Sequence, residues 1–61
     1  MKIGDRVALK EIPENDKFKR FKGIVGEIVN HDNDNPPKFV RVTFDGGKIY
    51  EDMLAWRLFL L

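Results

Sequence analysis

Hydrophobic and polar positions alternate most cleanly in two places. Arg6-Val7-Ala8-Leu9-Lys10 puts Val7 and Leu9 on one side and Arg6 and Lys10 on the other, and Phe39-Val40-Arg41-Val42-Thr43-Phe44 puts Val40, Val42 and Phe44 inward against Arg41 and Thr43. Both have the two-residue period of a half-buried strand. Between them an apolar, β-branched run from Gly23 to Val29 predicts another strand, with Gly23 and Gly26 inside it. Glycine weakens a strand, so these two are expected to mark a bend, a bulge or a close approach of another part of the chain. Asp45-Gly46-Gly47 is a hairpin signal, since its glycines accept the positive φ that tight turns require, and Lys48-Ile49-Tyr50 is the expected short returning strand. Glu51-Asp52-Met53-Leu54 suits one helical turn with two acids at its positive end, and Trp56 to Leu61 supplies a fifth strand that would bury Trp56, Leu58 and Leu60.

Two connections are irregular. Glu11 to Arg20 is polar and broken by Pro13 and Asn15-Asp16, a long excursion instead of a tight hairpin. His31-Asp32-Asn33-Asp34-Asn35-Pro36-Pro37 ends the second strand in turns built on Asx side chains and prolines. The whole pattern predicts an all-β chain: a five-stranded SH3-like barrel, residues 1–61 as a single domain, with a long first loop and one short helical turn before the last strand.

Composition limits what such a domain can do. A chain of 61 residues buries only about 60% of its unfolded surface, so its core is thin and partner burial is a natural support. Cysteine is absent, which removes disulfides, thiolate metal sites and thiol nucleophiles, and fits a reducing compartment. No apolar run has the length of a membrane span and no basic-then-apolar leader opens the chain, so a cytoplasmic protein with no membrane partner is expected. Net charge is +1, which gives no global case for nucleic acid. The charge is uneven, however: residues 1–24 hold seven basic and four acidic side chains, and residues 25–61 hold four basic and six acidic ones.

The stretch Phe21-Lys22-Gly23-Ile24-Val25-Gly26-Glu27-Ile28 resembles the KOW motif of transcription elongation factors and ribosomal proteins, an aromatic followed by two spaced glycines and a β-branched residue, with Gly4-Asp5-Arg6-Val7 where such domains open their first strand. That resemblance implies a small barrel that contacts RNA or DNA. The same outline is similar to small accessory subunits such as the variable chain of ferredoxin-thioredoxin reductase, which implies docking and support without chemistry. Gly4-Asp5-Arg6-Val7 and Ile49-Tyr50 are also similar to type II dihydrofolate reductases, but that family carries a glutamine before its Ile-Tyr pair, and here the residue is Lys48.

Candidate chemistry is sparse. With no serine, one threonine (Thr43) and one histidine (His31), no nucleophile, base and orienting acid can be assembled, so no catalytic residue and no cofactor are expected. Asp32-Asn33-Asp34 opens like a calcium loop, but Pro37 stands where glycine is needed and Thr43 where glutamate is needed, so a solvated turn is expected and no metal site. The carboxylates Glu11, Glu14 and Asp16, and Asp45, Glu51 and Asp52, have no spacing that fixes a catalytic pair.

Two segments remain. Lys17, Lys19, Arg20 and Lys22, interleaved with Phe18 and Phe21, either contact phosphates and stack on bases, or Phe21 enters the core at the start of the second strand while the lysines keep the small domain soluble. Phe18, an aromatic between charges in a loop, is expected to be an exposed partner anchor. Phe59 and Leu61 fall on the face of the last strand that the barrel does not bury. They either pair with another chain, as a homodimer or within a larger complex, or the strand closes across the barrel's open end. The sequence thus points first to a non-enzymatic protein-interaction or accessory module, and second to a KOW-like nucleic-acid-binding module.

Overall fold

Alternation becomes the two faces of a single antiparallel sheet. The computed structural model describes residues 1–10 and 16–61. Strands β1 (Arg6–Leu9), β2 (Gly26–His31), β3 (Phe39–Phe44), β4 (Ile49–Leu54) and β5 (Leu58–Leu60) lie in the order β4-β3-β2-β1-β5. The described residues contain no α-helix, only single 3-10 turns at Lys19–Phe21 and Ala55–Arg57 and a tight turn of positive φ at Asp45–Gly47. The described residues are therefore all-β, with five strands.

Val7 and Leu9 of β1, Ile28 of β2, and Val40, Val42 and Phe44 of β3 are buried on the inner face. Met53 and Leu58 flank them, and Phe18 and Phe21 cover them from the excursion between β1 and β2. Phe21 stacks on Phe44 with centroids 4.2 Å apart and planes 5° from parallel, and Phe18 lies 6.4 Å from Phe21. Aromatic pairs of this kind add about 0.5–1.5 kcal/mol beyond the area they bury.

Where the chain departs from its pattern, the causes are specific. β2 begins at Gly26, not Gly23. Ile24 and Val25 are apolar but exposed, and Gly23 sits in a turn at φ 78°, where it lets the chain leave the 3-10 turn. The bend in β2 comes from neither glycine. Register with β3 runs Glu27↔Thr43 and Ile28↔Val42, then Asn30↔Arg41 and His31↔Val40, so Val29 is the extra residue of a bulge. Gly26 serves close packing: a Cβ there would lie 2.5 Å from Val42 Cγ1 and 2.8 Å from Phe44 Cε1.

β4 is longer than its alternation suggests and takes in Glu51–Leu54, where a helical turn was expected. Glu51 pairs across from Val42, on the same side as Ile49 and Met53, so a carboxylate interrupts an inward-facing series. It is tolerated there because Arg20 reaches it at 3.4 Å. The helical turn forms one step later, at Ala55–Arg57, which takes Trp56 out of the last strand and leaves it 67% exposed. Of Trp56, Leu58 and Leu60, only Leu58 is buried. The β3–β4 connection agrees with its sequence: Asp45, Gly46 and Gly47 all have positive φ.

Candidate interaction surface

The excursion after β1 places Phe18 inside the molecule. Asp16 Oδ1 accepts the Phe18 N–H at 2.8 Å and the Asp16 carbonyl accepts the Lys19 N–H at 3.2 Å, a turn that leads directly into Lys19–Phe21. The Arg57 guanidinium pairs with Asp16 Oδ2 and lies 5.5 Å from the centre of the Phe18 ring. The Phe18 N–H, and after it Arg57, hold the Asp16 carboxyl below its ordinary range. Phe18 is 4% exposed, so it is a core residue and not the exposed anchor its loop position predicts. The determining contact, Asp16 with Arg57, spans 41 positions, which no local pattern reveals.

The four cations of this segment divide. Lys17 Nζ sits 4.9 Å above the Phe18 ring, and Arg20 lies 4.6 Å over Phe21 while reaching Glu51. Lys19 and Lys22 are exposed. Because Phe18 and Phe21 both belong to the core, as the alternative reading of Phe21 expects, neither ring is available to stack on a base.

Carboxylates are similarly engaged. Asp52 accepts from Arg41 Nε at 2.8 Å and Nη2 at 3.3 Å, and that guanidinium holds its carboxyl low. Asp32 organises the β2–β3 turn: its carboxylate accepts the backbone N–H groups of Asp34, Lys38 and Phe39. Burial pushes the Asp32 carboxyl up, but those three donors outweigh it and the net shift is downward. His31 Nδ1 is 2.6 Å from the Asp32 carbonyl oxygen, to which it donates. Glu11 and Glu14 lie outside the described residues. Among the described residues, no three His, Asp or Glu side chains come together as metal ligands.

Among the described residues, the C-terminal segment presents the most concentrated apolar surface. Trp56 (67% exposed), Phe59 (52%), Leu60 (57%) and Leu61 (69%) fall within six positions. Register with β1 is Val7↔Leu60, Ala8↔Phe59 and Leu9↔Leu58, so Phe59 shares the outer face with Ala8, and the Lys10 ammonium lies 5.7 Å from its ring. Phe59 and Leu61 stand where alternation put them, exposed. Alternation does not find Trp56, which the Ala55–Arg57 turn takes out of the strand, or Leu60, which shares the inner face with Val7 at the uncovered margin of the sheet.

Beside this strand runs a transverse row on the outer face, Arg6↔Glu27↔Thr43↔Tyr50. It floors an open groove of about 630 Å³ bounded by Val25 and the Asp45–Gly47 hairpin. Thr43 Oγ1 donates to the Ile49 carbonyl at 3.0 Å, so this hydroxyl is tied to the sheet. No helix of the described residues is long and apolar enough to cross a membrane. The chain matches no family model, no curated protein and no solved structure.

Proposed function

We propose that this chain is a non-catalytic, SH3-like interaction or accessory module that meets a protein partner through β5 and the turn before it. Strand order β4-β3-β2-β1-β5, a long β1–β2 excursion folded over the core and a 3-10 turn before the last strand support the SH3-like reading. The observation that carries the interaction reading is the uncharged, exposed run Phe59-Leu60-Leu61 that follows buried Leu58 on an outer strand. Exposed apolar side chains gathered on a sheet edge mark interaction sites.

The KOW-like alternative draws on Lys17, Lys19, Arg20 and Lys22. It has less support, because Arg20 is shared between Phe21 and Glu51 and both neighbouring aromatics are buried. Fluorescence anisotropy with labelled single- and double-stranded oligonucleotides, from 50 to 200 mM salt, separates the two. The interaction reading expects no binding tighter than about 100 µM at the higher salt, since nonspecific phosphate contacts from so few cations are weak. Micromolar binding that weakens steeply with salt and is lost on replacing Lys17, Lys19, Arg20 and Lys22 with alanine would put nucleic acid first.

A further inference from the structure

The two outer strands of the sheet differ in how they meet water. β4 carries Glu51 and Asp52 along its length, the charged protection that natural edge strands use against pairing with other chains. β5 carries no charge, proline or bulge, and among the described residues only β1 pairs with it. Its hydrogen-bonding direction can be read from the flanking bonds. Leu61 N–H donates to the Arg6 carbonyl and Lys10 N–H to the Arg57 carbonyl, both at 2.8–2.9 Å, so residues 57, 59 and 61 direct their backbone groups to β1. Leu58 and Leu60 therefore aim theirs the other way. The Leu58 N–H closes the 3-10 turn onto the Ala55 carbonyl, which leaves the Leu58 carbonyl and both groups of Leu60 on the outer edge.

We infer that β5 pairs with β5 of a second copy of this chain, antiparallel about a two-fold axis at Leu60. The inference rests on the interaction reading above and names its partner. This register sets Phe59 of each copy against Leu61 of the other on the outer face, and Leu60 against Leu60 on the opposite face. No charged side chain opposes another like it, and both Leu60 N–H and C=O groups gain partners. The interface is isologous and closes at two, so the pairing does not propagate into fibres.

Size sets the strength. At roughly 200 Å² for each fully exposed large side chain, Phe59, Leu60 and Leu61 keep roughly 350 Å² in water per copy. Two copies then remove at most roughly 700 Å² of apolar side chain, to which the paired backbone adds, short of the roughly 1,000 Å² at which specific interfaces begin. A dimer of micromolar affinity is the expectation, not an obligate one.

Sedimentation velocity on the full chain between 5 µM and 1 mM tests this directly. The expected result is a monomer–dimer equilibrium with Kd in the tens of micromolar, raised at least tenfold by Leu60→Pro and by Leu61→Lys. Leu60→Pro removes an N–H that β1 does not use, so it strikes the outer edge alone; if that variant loses its strand circular dichroism, Leu61→Lys, which keeps the backbone intact, decides. A wild-type monomer at 1 mM overturns the inference, as does a dimer whose Kd neither folded variant changes. Either failure removes the second copy as partner, whereas the interaction reading itself fails on the oligonucleotide titration.

Discussion

Gly23 and Gly26 look equivalent in the sequence and make opposite demands, which can be measured. At Gly26 the backbone is ordinary and the space is missing: a Cβ would sit 2.5 Å from Val42 Cγ1 and 2.8 Å from Phe44 Cε1, and Val42 is fully buried while Phe44 is held by its stack on Phe21. Gly26→Ala therefore overpacks the core, at about 1–3 kcal/mol, against a gain of about 0.5–1 kcal/mol from reduced backbone freedom. The net loss of about 1–2 kcal/mol is a large part of the roughly 3–9 kcal/mol that a chain of this size holds. At Gly23 nothing lies within 4 Å and φ is +78°, so Gly23→Ala costs about 1–2 kcal/mol through its left-handed backbone alone. Alanine scanning would score the two alike. A double-mutant cycle separates them: Val42→Ala makes room for the Cβ at position 26, giving a favourable coupling of about 1 kcal/mol with Gly26→Ala and none with Gly23→Ala. Asparagine, which tolerates the left-handed region, should restore most stability at 23 and none at 26. Urea titrations followed by far-ultraviolet circular dichroism provide the measurement, because Trp56 is too exposed for its fluorescence to report on the core. Zero coupling between positions 26 and 42, or a Gly26→Ala variant as stable as wild type, would refute the close-packing explanation.

Phe18→Ala should act on stability and not on binding: truncating a buried phenylalanine costs about 3–5 kcal/mol, enough to unfold much of the population, and a folded variant with an unchanged thermal midpoint would contradict the burial described above. Acid should destabilise the chain through Asp16, Asp32 and Asp52, whose carboxyls are all held below their ordinary range in the fold. Such groups bind more protons when unfolded, so their contribution is complete above the unfolded aspartate range and is lost as pH falls through the folded values. In thermal melts from pH 6 to 2, Asp16→Asn should lower the midpoint at pH 6 and flatten its acid decline; an unchanged decline would mean that the Asp16–Arg57 pair contributes no pH dependence.

What could be read in advance was whatever a local pattern encodes. β1 and β3 alternate because the sheet is buried on one face, and the positive φ values of Gly46 and Gly47 follow from their residue type, while Asp45 joins them at φ 53° as an aspartate that tolerates that region. The rest depended on contacts between distant positions. Ile24 and Val25 lengthen an apolar run but lie outside the sheet, so β2 seemed to begin three residues early. Glu51 disguised β4 because its compensation, Arg20, is 31 positions away. The burial of Phe18 is not legible locally because Arg57, which holds the Asp16 turn beside it, stands 41 positions from Asp16. The candidate surface at Phe59 and Leu61 was legible because strand alternation alone exposes them; Trp56 was not, because a 3-10 turn takes it out of the strand, nor Leu60, because its exposure depends on where the sheet stops.

The use of Phe18 and Phe21 bears on how so small a chain can present apolar surface elsewhere. A single five-stranded sheet must cover its inner face with something, and here two aromatics from the β1–β2 excursion do so, pinned by Asp16 to Arg57 and by Arg20 to Glu51. Those aromatics and three of the arginines, counting Arg41 on Asp52, are thereby committed to the fold. Truncating Arg57 consequently loosens the cover over the core and the turn that precedes β5 at once, coupling core stability to the geometry of the outer edge. A surface presented this way is strongest when the excursion is well packed, so variants that weaken the Asp16–Arg57 pair should lose self-association before they lose the sheet.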